Sequence, residues 1–207
     1  MVRAFWFAAA FIFLVEQPAL AESDFDLCKS DSNESQAVKA CDRAIASGSL
    51  QKVDDLVRAY YERGLKHKYN RRYDQAIQDF NKVIQLNPKY TWSYVARGHS
   101  YAYKKQFSLA FADQETAIRL EATEVTYTGR AMDLIEAGAY DRAIADLNEA
   151  LRINDKYFYG YLRRGDAYLK KHEFTKAESD YRRAVELRPA DKAAQDGVRN
   201  AQNRNAD

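Results

Sequence analysis

Residues 57–90, VRAYYERGLKHKYNRRYDQAIQDFNKVIQLNPKY, and residues 158–191, FYGYLRRGDAYLKKHEFTKAESDYRRAVELRPAD, carry matching residue types at matching offsets. The pattern also runs through the stretch between them. A small residue recurs as Gly64, Gly98, Ala131 and Gly165, in steps of 34, 33 and 34 residues. Twelve positions after each stands an alanine (Ala76, Ala110, Ala143, Ala177), and four further on Phe80, Gln114, Leu147 or Tyr181. Val83, Ala117, Ala150 and Ala184 follow, then Ile84, Ile118, Leu151 and Val185, then Leu86, Leu120, Ile153 and Leu187. A period near 34 with these residue types marks stacked helix–turn–helix units.

Each unit is helical by its spacing, since Ala76, Phe80, Val83 and Ile84 fall at i, i+4, i+7 and i+8 of one buried stripe. The small residue lets the two helices of a unit approach closely. Asp74, Ser108, Asp141 and Thr175 each follow an aromatic and have the chemistry of an N-cap for the second helix. Pro88 and Pro189 stop that helix in two units. A single pair cannot bury its apolar face, so neighbouring units stack into one continuous core. One residue is missing between Ala122 and Ala131 relative to the other linkers, which predicts a changed tilt between the second and third units.

These residues resemble the tetratricopeptide repeat family. The first unit (57–90) has Tyr60, Gly64, Ala76, Phe80 and Pro88 where that family has an aromatic, a glycine, an alanine, an aromatic and a proline. The fourth (158–191) has Tyr161, Gly165, Tyr168, Ala177, Tyr181, Ala184 and Pro189. The second (91–123) departs at Gln114 and Ala122, and the third (124–157) at Ala131 and Asp155. The resemblance implies an all-α fold, an α-solenoid in which antiparallel helix pairs wind into a right-handed superhelix.

Both ends of the chain differ from the repeats. Residues 1–21 have the layout of a secretory signal peptide: Arg3, an apolar run from Ala4 to Val15, and Ala19-Leu20-Ala21 as a cleavage site. Twelve apolar residues make about 18 Å of helix, short of a hydrocarbon core of about 30 Å. Cleavage would leave residues 22–207 in an oxidising compartment, where Cys28 and Cys41 would pair as one disulfide. Ala37, Cys41, Ala44 and Ile45 repeat the stripe of the second helices, so 22–56 reads as a degenerate repeat stapled by that bridge. Closing so short a loop contributes roughly 3 kcal/mol in the chain-entropy picture. Residues 192–207 read as a capping helix with Ala193, Ala194, Val198 and Ala201 on its thin apolar stripe, ending in a frayed Ala206-Asp207. Asn33-Glu34-Ser35 fits a glycosylation sequon.

The composition points away from chemistry and from nucleic acid. Lys and Arg number 32 and Asp and Glu 30, a net charge of +2, and the charges are interspersed as on solvated helix faces. His67, His99 and His172 lie on different repeats with no second ligand at metal spacing, and no hydrolase, phosphate-loop or dinucleotide motif occurs. The expectation is a protein that is not an enzyme and needs no cofactor or metal. In the family the first helix of each unit lines a concave, peptide-receiving face. Carried over, that lining is Tyr61 and Leu65 with Lys68 at the edge, then Trp92, Val95, His99 and Tyr103. The third unit contributes Thr128, Met132 and Ile135, and the fourth Tyr159, Leu162, Asp166 and Leu169. The positions that grip a C-terminal carboxylate in some members hold Tyr61, Leu65, His99, Val125 and Gly129, which do not form such a clamp.

The resulting expectation is an exported adaptor binding a protein or peptide, placed in a bacterial periplasm by resemblance to short disulfide-capped proteins of that compartment, with secretion as the second placement. Its rivals are a self-assembling envelope protein and a small-molecule carrier or enzyme centred on His99 and Asp166.

Overall fold

The computed structural model describes residues 23–30, 34–48 and 50–205. The segment 1–21, Asn33 of the sequon and Ala206-Asp207 lie outside the described residues. Among the described residues there are eleven helices and no strand. A cap pair, α1 (Asp24–Lys29) and α2 (Glu34–Ala46), precedes four repeats. These are α3 (Val53–Tyr69) with α4 (Tyr73–Leu86), α5 (Thr91–Tyr103) with α6 (Phe107–Leu120), α7 (Glu124–Glu136) with α8 (Tyr140–Ile153), and α9 (Phe158–Lys170) with α10 (Phe174–Leu187). The last helix is α11 (Lys192–Asn205).

Each helix packs on its neighbours in sequence, and the first helices of successive repeats also meet, α3 with α5, α5 with α7 and α7 with α9. The backbones of successive second helices stay more than 8 Å apart, Cα to Cα. A stack whose one layer is closer than the other bends toward the closer layer. The first helices therefore form the concave side.

The expected side-chain caps on the second helices are absent. Helices α4, α6, α8 and α10 begin on the aromatic or tyrosine itself, with Arg72, Gln106, Ala139 and Glu173 at the N-cap and no cap hydrogen bond from any of their side chains. Asp74, Ser108, Asp141 and Thr175 sit one position inside the helix. The turn backbone instead caps the C-terminus of the first helix. The middle residue of each three-residue turn is left-handed: Arg71 (φ 58°), Lys105 (φ 60°), Gly138 (φ 77°) and His172 (φ 62°). The next N–H then donates back to the first helix, as in Arg72 to His67 O (2.8 Å) and Ala139 to Leu134 O (2.8 Å). Freed from capping, Asp74 and Asp141 accept ion pairs from Lys104 and Lys171 of the following repeat.

Proline reinforces the helix stop without setting it. All four second helices end at the same repeat position on an extended residue, Asn87, Glu121, Asn154 or Arg188, and only two are followed by proline. The shortened linker, 121–123, ends in a capping box: Thr123 Oγ1 accepts from Thr126 N (3.3 Å) and Thr126 Oγ1 from Thr123 N (3.0 Å). Helix α6 packs less extensively on α7 than α4 does on α5 or α8 on α9.

At the front, Cys28 and Cys41 are joined in a disulfide with Cα atoms 4.7 Å apart, and both are fully buried beside Ala40 and Ala59. Lys66 of α3 donates to Ser30 O at the end of α1 (3.1 Å), tying the cap to the first repeat. At the back, Ala194 and Ala201 of α11 are buried against α10 with Val198 half-buried, whereas Ala193 faces solvent. Gly197 takes its place on the packing stripe, directly against the Tyr181 ring.

Candidate partner-binding groove

Two devices hold the first helices in place. One is the pairing of small with large. A Cβ built on Gly64 would come within 2.7 Å of the Phe80 ring, and one on Gly165 within 2.8 Å of the Tyr181 ring. The third repeat carries Ala131 and faces it with the smaller, aliphatic Leu147. The other device is an ion pair repeated in every unit. Arg63, Arg97, Arg130 and Arg164 each donate through Nε and Nη2 to both oxygens of Asp79, Asp113, Asp146 or Asp180, at 2.6–3.0 Å. A third donor reaches the preceding unit, Arg63 to Asp42 (2.6 Å), Arg97 to Asn81 (2.5 Å) and Arg164 to Asn148 (2.7 Å). Each guanidinium also lies 5.4–6.0 Å from the tyrosine three residues before it, Tyr60, Tyr94, Tyr127 or Tyr161. The carboxylate hydrogen bonds hold Arg130 and Arg164 above the usual arginine range. For Arg63 and Arg97 burial opposes the charge, and the paired carboxylates more than offset it.

With the convex-side stripe and the ion pairs committed to packing, the concave face keeps two adjoining recesses. The larger, about 600 Å3, is walled by Lys68, Tyr69, Arg71, Tyr73, His99, Tyr103 and Met132. The smaller, about 130 Å3, shares His99, Tyr103 and Met132 and adds Ala102, Asp133, Ile135, Glu136, Arg163 and Asp166. Tyr103 is half exposed and stacks on Tyr73 with ring centroids 5.3 Å apart. His99 is fixed by Asp133, 2.6 Å from its Nδ1, and the other Asp133 oxygen accepts from Gln114 Nε2 (2.6 Å). Gln114 thus has a polar task at a position that is apolar or aromatic in the other repeats. Asp166 accepts from Tyr181 Oη (2.8 Å) and Arg163 Nη1 (2.9 Å).

Of the residues expected to line the groove, His99, Tyr103, Met132, Ile135 and Asp166 come together around these recesses, with Lys68 on the wall rather than the edge. Trp92 and Tyr159 are exposed, at 42% and 41%, near the N-terminal ends of α5 and α9, outside both recesses. Val95, Thr128 and Leu162 are buried, Val95 against the backbone of Gly129 on α7. Tyr61 packs between Phe80 and Tyr90, burial pushing its phenol up; Leu65 and Leu169 pack against core clusters. A helix flanked on both sides in a stack gives part of its inner stripe to its neighbours, and spacing alone does not separate that part from the groove. Sequence reasoning missed Asp133, Arg163 and Tyr69, and the Arg–Asp series, which was legible as an arginine before each small residue and an aspartate 16 positions on.

Among the described residues, no group of three or more His, Cys, Asp or Glu side chains is placed to hold a metal ion. None of the described helices is long and apolar enough to cross a membrane. His99 and Asp166 share one recess, each already engaged by the partners named above.

The sequence pattern described as "Tetratricopeptide repeat" matches residues 57–90 and 158–191. Among curated relatives, the chain is 35% identical over 107 residues to heat shock protein STI1 of Saccharomyces cerevisiae, covering 46% of this chain and 18% of that one. It is 28% identical over 133 residues to the peptidyl-prolyl cis-trans isomerase FKBP4 of Bos taurus, covering 64% and 25%. The chain thus spans about a quarter or less of the length of these relatives. Among solved structures, TTC0263, a thermophilic protein of this repeat class from Thermus thermophilus, superposes with a TM-score of 0.70 at 18% identity, over 82% of this chain and 90% of that one.

Proposed function

Because the chain is a tetratricopeptide repeat protein, we propose that it acts by binding a segment of another protein in the concave groove, as an adaptor without catalytic chemistry of its own. The observation carrying this reading is the pair of adjoining recesses on the concave face, edged by Tyr69 (71% exposed) and Tyr103 (50% exposed). Tyrosine supplies large contact area for little lost side-chain freedom, which suits a binding anchor. The rigid stack presents that surface already ordered and so lowers the ordering cost of association.

The test is photo-crosslinking from position 103, in the parent sequence and beside a Tyr69→Ala change, against extract of the source cells. Both tyrosines are solvent-facing, so helicity should be unchanged. A protein crosslinked by the parent and lost on Tyr69→Ala would place its binding segment in the groove. Equal capture by both, or capture by neither, would remove the groove as the functional surface and turn attention to self-assembly.

We further propose that the protein is exported, which the 1–21 segment and the Cys28–Cys41 bridge support; a bacterial periplasm is proposed on resemblance to short disulfide-capped proteins of that compartment. The intact mass of the chain isolated from its own cells should then correspond to residues 22–207 less two hydrogens. A mass retaining residues 1–21, or two free thiols, would defeat that placement.

A further inference from the structure

Lys68 breaks the rule that governs the other inner positions. It occupies the site filled by Ala102, Ile135 and Leu169 in the following repeats, each of them apolar. Elsewhere the lysines at the inter-helix turns are tied to carboxylates of neighbouring units: Lys104 to Asp74, Lys105 to Glu136, Lys171 to Asp141. The Lys68 ammonium lies 5.0 Å from the Tyr69 ring and meets no carboxylate within ion-pair distance among the described residues. Burial pulls its pKa below the ordinary lysine range, with only partial compensation from Asp133. Both oxygens of Asp133 are already committed, to His99 and Gln114. Arg71, on the same wall, likewise has no carboxylate partner among the described residues. A desolvated ammonium lining the same recess of about 600 Å3 as an exposed guanidinium is half of an ion-pair site.

The adjoining recess has the opposite character. Ala102, Met132 and Ile135 give it an apolar lining, and its charged residues are already paired, Glu136 with Lys105, Asp166 with Arg163 and Asp133 with His99. With these charges engaged, the recess offers no free cation to a second acidic side chain, while its apolar lining fits an aliphatic one. Resting on the peptide-binding reading above, we propose that the groove recognises an internal Asp or Glu side chain of a partner peptide at Lys68 and Arg71, with an aliphatic residue beside it seated over Met132 and Ile135. This is an anion site within the run of a chain, distinct from a grip on a chain end.

The test is selection from a displayed library of random 12-residue segments held between fixed flanks, so that no free terminus is offered, on the intact protein. Enriched sequences should share an acidic residue one or two positions from Leu, Ile or Met. The corresponding acetylated and amidated peptides should lose about tenfold or more in affinity on Lys68→Met, and likewise on Asp→Asn or Glu→Gln in the peptide. Lys68→Met keeps the stem and removes an unpaired charge, so its unfolding midpoint should be no lower than the parent's. Binding should also raise the Lys68 amine pKa, read by NMR of the lysine side chain. Tyr103-dependent peptides without acidic preference, or binding indifferent to Lys68→Met, would overturn the anion site and leave the adaptor reading standing. Affinity that requires a free C-terminal carboxylate would overturn it as well. If no peptide depends on Tyr103, both readings fall.

Discussion

Arg97→Met is expected to destabilise the protein by about 3 kcal/mol or more. Asp113 is 6% exposed, and both its oxygens are held by Arg97 Nε and Nη2 at 2.8 and 2.7 Å. Removing the guanidinium strands a carboxylate in the array with no donor to replace water, and it also releases Asn81 of the preceding repeat. Arg97→Met/Asp113→Leu should recover most of the loss, because an apolar pair of similar volume needs no counter-charge. Urea unfolding midpoints of the parent, single and double variants make the measurement. Arg152→Met is the control, since its pair with Glu149 is solvent-exposed and should contribute nothing measurable. If Arg97→Met behaves like the control, the repeated ion pair is ornament and the apolar stripe alone sets the register of the units.

Gly165→Ala is expected to destabilise by about 1–3 kcal/mol, although alanine is the better helix former. Its Cβ would lie 2.8 and 2.9 Å from two carbons of the Tyr181 ring. The ring has nowhere to retreat. Behind it stands Gly197, where an added Cβ would come within 2.5 Å, and its hydroxyl is anchored on Asp166. The third repeat shows the compatible combination, Ala131 with Leu147. Tyr181→Leu alone should cost stability through the lost ring and hydroxyl contacts, yet Gly165→Ala/Tyr181→Leu should be less destabilised than the two single changes summed. A double-mutant cycle reads that coupling. Strict additivity would show that the ring is not what excludes the methyl group.

What could be seen in the sequence follows from what repeats in it. The spacing of Gly64, Gly98, Ala131 and Gly165 and the stripe from Ala76 onward specify helix pairs, their order and their stacking, because packing between repeats is the same problem solved four times. The turns mislead because Asp74 and Asp141 have cap chemistry, whereas the left-handed residue before the helix already returns the next N–H to the preceding helix. The Arg–Asp pairs stand in plain view at the same period but dispersed among other charges, and charge along a helix is ordinarily a solvated face. The groove is the least legible part. Val95 and Met132 lie on equivalent inner stripes, but one meets α7 and the other open space, a distinction that depends on the curvature of the whole stack. Lys68 stands out against Ala102, Ile135 and Leu169, but its lack of a carboxylate partner is a fact about neighbours that no single helix states.

The unequal spacing of the two helical layers has a mechanical consequence. The inner backbones abut and the outer ones do not, so the array is built like a leaf spring with its stiff leaf on the concave side. Flexing it to admit a wider cargo spreads the outer layer, where no backbone contact between successive second helices has to break. The side chains that bridge units along the way, such as Arg164 to Asn148 and Lys171 to Asp141, act as short tethers limiting the travel. Where the second repeat meets the third, both tethers are missing among the described residues. Arg130 donates to Asp146 alone, and Ala137 stands where Lys104 and Lys171 stand in the other repeats. Three other links cross that junction instead, Lys105 to Glu136 and both His99 and Gln114 to Asp133, so the second and third units are braced along the recess wall itself and bending to admit a bulky occupant falls to the outer layer.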